Sequence, residues 1–161
     1  MTLTRRIVPA LVAGAALLPA VGGAAMAAAP HRATINLRSE GRLGKVLVDS
    51  SGRTLYLFGR DRGGRSACSG ACARNWPPAV VSGKPTAGSG VKASKLGTTK
   101  RSDGRRQVTY NGHPLYRFKG DTKAGQANGE GLTAFGGIWD VVSPAGRRIT
   151  ARSSSAGSGG H

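Results

Sequence analysis

Apolar and polar residues alternate in two short stretches of the chain that share one pattern. The stretches read RTLYLFGRD and HPLYRFKGD, and they lie sixty positions apart. Because side chains on a strand point alternately to opposite faces, Tyr56 and Phe58 are expected on one face of a strand. Leu55 and Leu57 are expected on the other face. Arg117 stands in place of Leu57 in the second copy, which predicts a more polar face there.

Each copy of this pattern follows another apolar run across a turn. In the first half, Val46 to Val48 and Leu55 to Phe58 are short β-prone runs around DSSGR. In the second half, Asn111-Gly112 is a two-residue turn signal, because both turn positions favour positive φ. Each half is therefore predicted to open as a β-hairpin.

Each half also ends in an apolar run with a tryptophan, NWPPAVVSG and GGIWDVVSP. We read these runs as the third strand of each half, with Trp76 corresponding to Trp139, Val80 to Val141 and Val81 to Val142. No stretch shows helical periodicity over three turns. The predicted fold class is all-β, with two tandem pseudo-equivalent hairpin-plus-strand units packed into one small domain, because a hairpin alone is marginally stable.

The N-terminus has the features of an export signal. Two arginines precede a long uncharged apolar run, and AMA then supplies small residues for cleavage after Ala27 or Ala28. A membrane anchor is the alternative, since the run approaches spanning length. No Cys lies near the cleavage site, so lipid attachment there is not expected.

Composition changes divide the remainder of the chain. Polar and small residues dominate both ends, and SGKPTAGSG has the composition of a linker. The predicted organisation is a signal peptide at 1–27, a disordered segment at 28–42, a β domain at 43–146 and a disordered tail at 147–161. Within the domain, repeat one spans 43–82, a linker spans 83–104 and repeat two spans 105–146.

The chain is strongly basic, with 24 Lys and Arg against seven Asp and Glu and a formal charge of +17. Loss of Arg5 and Arg6 with the signal peptide leaves +15. Such a charge favours contact with an anionic envelope polymer or a membrane surface, although the spread of the basic residues also fits a merely solvated surface. We expect a monomer, and nucleic acid is not expected as the physiological partner of an exported protein.

The repeated motif has a structural and a functional interpretation. Two aromatic side chains at i and i+2 fill one sheet face, and the Asp can accept backbone N–H groups and close a turn. Alternatively, the same residues form a platform for a sugar or a cation. Paired carboxylates also suggest glycoside cleavage, but near-identical repeats should give them near-identical environments. The motif residues are Tyr56, Phe58, Asp61 and Trp76 in repeat one and Tyr116, Phe118, Asp121 and Trp139 in repeat two.

These motifs, together with CSGACARNWPP, resemble the bacterial secreted-repeat lipoprotein family, which is known for a Tyr-x-[Phe/Trp/Tyr]-x-x-Asp motif. The resemblance covers residues 43–144. It implies an exported, envelope-associated protein whose biochemical role is not established. The chain departs from the lipoprotein members because it lacks a lipid-acceptor Cys, which favours a soluble exported form.

Cys68 and Cys72 are the only cysteines. In an exported protein, a pair this close is most simply a disulfide. The alternative is a redox couple or a pair of thiolate ligands, but reactive pairs are usually separated by two residues and lie at a helix start. Here three residues separate them in a Gly-rich loop, and with His113 they make an incomplete zinc site.

Other signals for a cofactor or for catalysis are weak. His31 and His161 lie in the end segments, and His113 is expected to be an exposed turn residue. No haem-attachment motif, phosphate loop or nucleophile elbow occurs, so no cofactor, metal or catalytic residue is assigned.

The sequence therefore predicts a non-enzymatic envelope or extracellular module that contacts an anionic polymer or a protein partner. A redox-, haem- or metal-associated accessory protein that uses Cys68, Cys72 and His113 is the first alternative. A carbohydrate-active enzyme that uses Asp61 and Asp121 is the second.

Overall fold

The structure is a computed structural model, and it describes residues 32–150. The expected signal peptide, its cleavage site, His31 and His161 lie outside the described residues. Within residues 32–150, no helix is long and apolar enough to cross a membrane.

Short strands make up nearly all of the regular structure. The only α-helix in the described part of the chain is a single turn, so the all-β prediction is confirmed. The elements are β1 (Thr34–Ser39), β2 (Lys45–Val48), β3 (Tyr56–Phe58), α1 (Ala71–Asn75), β4 (Val80–Val81), β5 (Thr86–Ala87), β6 (Leu96–Lys100), β7 (Arg106–Tyr110), β8 (His113–Pro114), β9 (Leu132–Ala134) and β10 (Gly137–Val141), with 3-10 turns at Gly41–Leu43 and Ala93–Lys95.

Each repeat begins one strand earlier than the sequence suggested. Strand β1 lies inside the segment 28–42 that was expected to be disordered. It pairs there with β2, and its residue Ile35 is buried. Strands β5 and β6 lie inside the expected linker 83–104, where β5 pairs with β1 and β6 pairs with β7. Those two expectations were wrong because the strands are short and contain few apolar residues, so the pattern of apolar positions does not mark them.

The chain also continues to pack beyond residue 146. Residues 147–150 were assigned to a disordered tail, yet the N–H of Ile149 donates to the carbonyl of Val141 at 2.9 Å and its side chain is buried. The rest of the expected tail lies outside the described residues.

The two repeats exchange their third strands. Strand β10 of repeat two pairs with β3 of repeat one, with Trp139 opposite Phe58 and Val141 opposite Tyr56. In the reverse direction, Pro78 of repeat one forms a bridge with Tyr116 of repeat two. The third strands therefore complete the opposite unit, and Pro78, not Val80, is the counterpart of Val141.

The two motif strands meet at the centre of this exchange. The N–H of Tyr56 donates to the carbonyl of Tyr116 at 2.8 Å, and the N–H of Tyr116 donates to the carbonyl of Tyr56 at 3.1 Å. This reciprocal pair of bonds lies on a pseudo-two-fold axis that relates the repeats. The repeats are thus interlocked rather than placed side by side.

The motif strands separate two apolar clusters. Leu55, Leu57 and Leu115 lie in a cluster of mainly aliphatic side chains. Tyr56 and Phe58 lie in a cluster on the opposite face that also holds both tryptophans. The alternation predicted from the sequence is therefore present. On the leucine side, the guanidinium of Arg117 pairs with Asp49 at 2.5 Å.

Candidate functional site

The aromatic residues of both motifs form one stack through the centre of the domain. Trp76 and Trp139 lie face to face, with ring centroids 3.9 Å apart and an interplanar angle of 4°. Phe58 stacks on the outer face of Trp139 at 4.1 Å, and Phe118 stacks on the outer face of Trp76 at 4.2 Å. Each stacked contact adds about 0.5–1.5 kcal/mol beyond the burial of its area.

The tyrosines contact this stack edge-on and complete its symmetry. Tyr56 meets Trp76 at 5.4 Å, and Tyr116 meets Trp139 at 5.1 Å. Trp76 and Trp139 are 1% and 0% exposed. Because their faces are covered by other rings, the tryptophans are not open to a ligand, and they do not form the surface platform that was the alternative interpretation of the motif.

Each motif Asp reaches across the axis to the tyrosine of the other repeat. The hydroxyl of Tyr56 donates to Oδ2 of Asp121 at 2.5 Å. The hydroxyl of Tyr116 donates to Oδ2 of Asp61 at 2.9 Å. The spacing of the motif therefore serves contacts between the repeats, which we call the Tyr–Asp exchange. Sequence reasoning missed this exchange because each copy was interpreted within its own half.

The second oxygen of each carboxylate closes the loop of its own repeat. Oδ1 of Asp61 accepts the N–H of Ala67 at 2.8 Å, and Oδ1 of Asp121 accepts the N–H of Asn128 at 2.9 Å. The turn interpretation accounts for these contacts. Both carboxylates thus join a loop to the opposite repeat.

The two Asp environments differ, although the sequence suggested that they would be alike. Asp121 is 1% exposed, and Arg53 donates to its main-chain oxygen. His113, at the position equivalent to Arg53, is exposed, and Asp61 is half-buried. Burial raises the pKa of Asp61 to about 6 and also raises the pKa of Asp121. Burial raises the pKa of Tyr56 and of Tyr116, so both remain hydrogen-bond donors.

The raised pKa of Asp61 predicts a pH dependence of stability. The native state holds this proton more tightly than the unfolded chain, in which the pKa is about 4. The proton bound to Asp61 therefore adds to the free energy of unfolding below pH 4, and this added part is lost as the pH rises to about 6, where the ionised carboxylate keeps its hydrogen bonds to Ala67 and Tyr116. An NMR titration of the Asp61 carboxyl should give a midpoint near 6. A midpoint near 4, with no change in unfolding across this range, would contradict the assignment.

Cys68 and Cys72 form a disulfide, with their Cα atoms 5.3 Å apart. Cys72 lies in the short helix α1, whereas the sequence suggested a Gly-rich loop. Both cysteines pack against the aromatic cluster. His113 is exposed on the second hairpin, and residues 32–150 contain no group of three or more His, Cys, Asp or Glu side chains that could hold a metal ion.

Arg101 anchors the disulfide loop, and sequence reasoning did not single it out. Its side chain is buried, and its guanidinium donates to the carbonyl of Cys68 at 2.7 Å, to Oγ of Ser66 at 2.8 Å and to Oε1 of Gln107 at 2.7 Å. It also pairs with Asp103 at 3.2 Å. No local motif distinguishes Arg101 from the other basic residues, because its role depends on contacts with repeat one.

All seven carboxylates of the chain are used inside the domain. Six are in ion pairs or in the Tyr–Asp exchange, and the seventh, Glu130, accepts the N–H of Val141 at 2.6 Å. Asp140 is buried beside Arg148, at 3.3 Å. The remaining pairs are Glu40 with Arg38, Asp49 with Arg117, Asp103 with Arg101 and Arg105, Asp61 with Tyr116, and Asp121 with Tyr56.

A comparison with protein families agrees with the boundaries seen in the structure. A family model described as a secreted repeat of unknown function matches residues 38–80 and residues 97–143, which together make up more than half of the chain. The matches begin within β1 and β6, the first strands of the two repeats. No curated protein and no solved structure matches the chain.

Proposed function

The chain belongs to this family of secreted repeats of unknown function, and from this premise we propose that it is a non-enzymatic module whose cationic surface binds an anionic polymer of the cell envelope. The family description places such a protein outside the cell or in the envelope. Polymers with phosphate or carboxylate groups are the anionic partners that such a location offers.

The observation that carries this proposal is the imbalance of surface charge. The carboxylates are occupied within the domain, so they do not neutralise most of the exposed cations. Within the described part of the chain, no acidic side chain pairs with the exposed residues Arg32, Arg42, Lys45, Arg60, Arg62, Arg65, Arg74, Lys84, Lys92, Lys100, Arg106, Lys119, Lys123 and Arg147. A surface with such uncompensated charge attracts polyanions.

The motif residues support a non-enzymatic role. Both tryptophans and Asp121 are buried, and the two motif carboxylates each hold a tyrosine of the opposite repeat. A general acid or base must reach the proton that it transfers. The residues that the repeat brings together are instead committed to contacts that hold the fold.

Binding to poly(glycerol phosphate) tests this function. Titration calorimetry at 50 mM and 200 mM NaCl should show an affinity that falls at least about tenfold, because binding releases counterions from the polymer. The polymer should be recovered with unchanged chain length, as expected for a non-enzymatic module. Dextran, which is uncharged, serves as the control polymer and should not bind. Absence of binding, or binding that does not respond to salt, would contradict the proposal.

A further inference from the structure

A cavity of about 520 Å³ lies where the disulfide loop of repeat one meets the end of strand β6. Its volume falls within the range of about 300–1,000 Å³ that is usual for small-molecule sites. The cavity is lined by Arg65, Ser66, Thr99, Lys100, Arg101 and Ser102. The lining thus consists of three cations and three hydroxyl groups.

No carboxylate lines this cavity. Arg65 and Lys100 are exposed, and neither has an acidic partner among residues 32–150. Two other cavities are less suited to an anion. One includes the carboxylate of Asp61, and the other has Arg106 as its one cation without an acidic partner in the described part of the chain, beside Arg105 and Arg117, which already pair with acids. A further cavity, at Lys84 and Arg106, has one hydroxyl, that of Thr98, which already accepts from Arg106. The cavity at Arg65 is therefore the one of these that combines two cations without acidic partners in that part of the chain, Arg65 and Lys100, with the hydroxyls of Thr99 and Ser102.

Arg101 makes the cavity rigid. Its buried guanidinium joins the loop at Ser66 and Cys68 to strand β7 at Gln107, so the two walls of the cavity are held together. The disulfide constrains the same loop just after Ser66. A site whose walls are fixed before binding loses less conformational entropy when the ligand enters.

We propose that this cavity binds a phosphate group that carries a small polyol, such as one unit of a polyol phosphate polymer. Arg65 and Lys100 supply charge-assisted hydrogen bonds to the phosphate oxygens. The hydroxyls of Thr99 and Ser102 line the same space for the polyol, whereas the hydroxyl of Ser66 is already held by Arg101 and Tyr116 and serves as a fixed wall. This site rests on the proposed function and deepens it, because it names the chemical group that the module recognises.

The pseudo-symmetry of the fold predicts one such site per chain. The N–H of Arg101 donates to the carbonyl of Arg105 at the end of β6, and the N–H of Glu40 donates to the carbonyl of Gly44 at the end of β1. Glu40 is therefore the counterpart of Arg101 and reverses the charge at the second position. The second repeat also has no counterpart of the disulfide. A stoichiometry of one phosphate unit per chain follows.

The test compares two doubly substituted proteins that lose the same charge. R65A/K100A removes both cations of the cavity, whereas K84A/K123A removes two exposed lysines that do not line it. Titration with sn-glycerol 3-phosphate should give one site in the unmodified chain. Affinity should fall at least tenfold in R65A/K100A and less than threefold in K84A/K123A. Thermal unfolding of both variants, which change only exposed side chains, checks that the fold is retained.

The outcomes separate the site from the proposed function. If poly(glycerol phosphate) binds and the two variants weaken it equally, the site is overturned and the function stands. If glycerol 3-phosphate binds at this site but the polymer does not, the site stands and the function falls. If neither probe binds, both are overturned. Equal affinity for glycerate, which carries a carboxylate, would overturn the assignment to phosphate.

Discussion

Replacing Trp139 by alanine is expected to lower the free energy of unfolding by about 3–5 kcal/mol, the usual cost of removing a large buried aromatic side chain. Trp139 is fully buried and stacks on both Phe58 and Trp76. The residue also lies on β10, the strand that repeat two contributes to repeat one. Because small domains have a total stability of about 5–15 kcal/mol, the variant should be at or near the limit of folding.

Phe135→Ala is the matched control for this prediction. Phe135 is an aromatic residue of the same hairpin, but it is 42% exposed and lies outside the stack. Its replacement should change the free energy of unfolding by less than about 0.5 kcal/mol, as for most surface positions. Urea unfolding followed by tryptophan fluorescence and by circular dichroism measures both variants. Equal losses for the two residues would refute the role of the stack.

Asp121→Ala is expected to cost about 2–3 kcal/mol, because it leaves the buried hydroxyl of Tyr56 without an acceptor. The same substitution frees the loop that Asp121 closes through the N–H of Asn128. Water cannot easily replace the lost oxygen, since Tyr56 and Asp121 are 0% and 1% exposed. The carboxylate therefore stabilises both the loop and the contact between repeats.

Asp61→Ala provides the matched comparison at the pseudo-equivalent position. Asp61 makes the same two contacts, but it is half-buried, and the hydroxyl of Tyr116 keeps a second partner in Oγ of Ser66 at 2.7 Å after the substitution. The expected loss is about 1 kcal/mol, clearly less than for Asp121. Denaturant unfolding of both variants at pH 7 decides the order. A larger loss at Asp61, or no loss at either position, would contradict the difference in burial.

Local features of the fold could be predicted from the sequence. The alternation of leucine and aromatic residues around Tyr56 fixes which side chains share a face, because the period of a strand is two residues. The Asn111-Gly112 turn is equally local, and Asn111 has the positive φ of 50° that such a turn requires. The duplication was visible because both copies keep their aromatic residues.

Long-range pairing could not be predicted from the same features. The apolar pattern of the run after Trp76 fits pairing with either motif strand equally well. The three-dimensional structure shows that this run pairs with repeat two. The strands β1 and β6 were missed because their sequences are short and mostly polar; β6 pairs with the next strand, β7, whereas β1 also pairs with β5, far along the chain. Tertiary context decides strand formation more than intrinsic preference does.

The same limit applies to the candidate site. The motif spacing identified Tyr56 and Asp121 as important, but not that they contact each other across the axis. Arg65 and Lys100 belong to different halves of the chain and share no motif, so their common cavity depends on the interlocked fold. Charge composition indicated an anionic partner, whereas the distribution of the carboxylates was needed to locate the uncompensated charge.

The most direct test of the interlocked motif is a pair of double-mutant cycles measured by urea unfolding. One cycle combines Tyr56→Phe with Asp121→Asn across the repeats, and the other combines Tyr56→Phe with Asp61→Asn within one repeat. The cycle across the repeats should show a coupling free energy of about 1 kcal/mol or more, and the cycle within the repeat should be additive to about 0.5 kcal/mol. Coupling only within the repeat, or none in either cycle, would contradict the Tyr–Asp exchange.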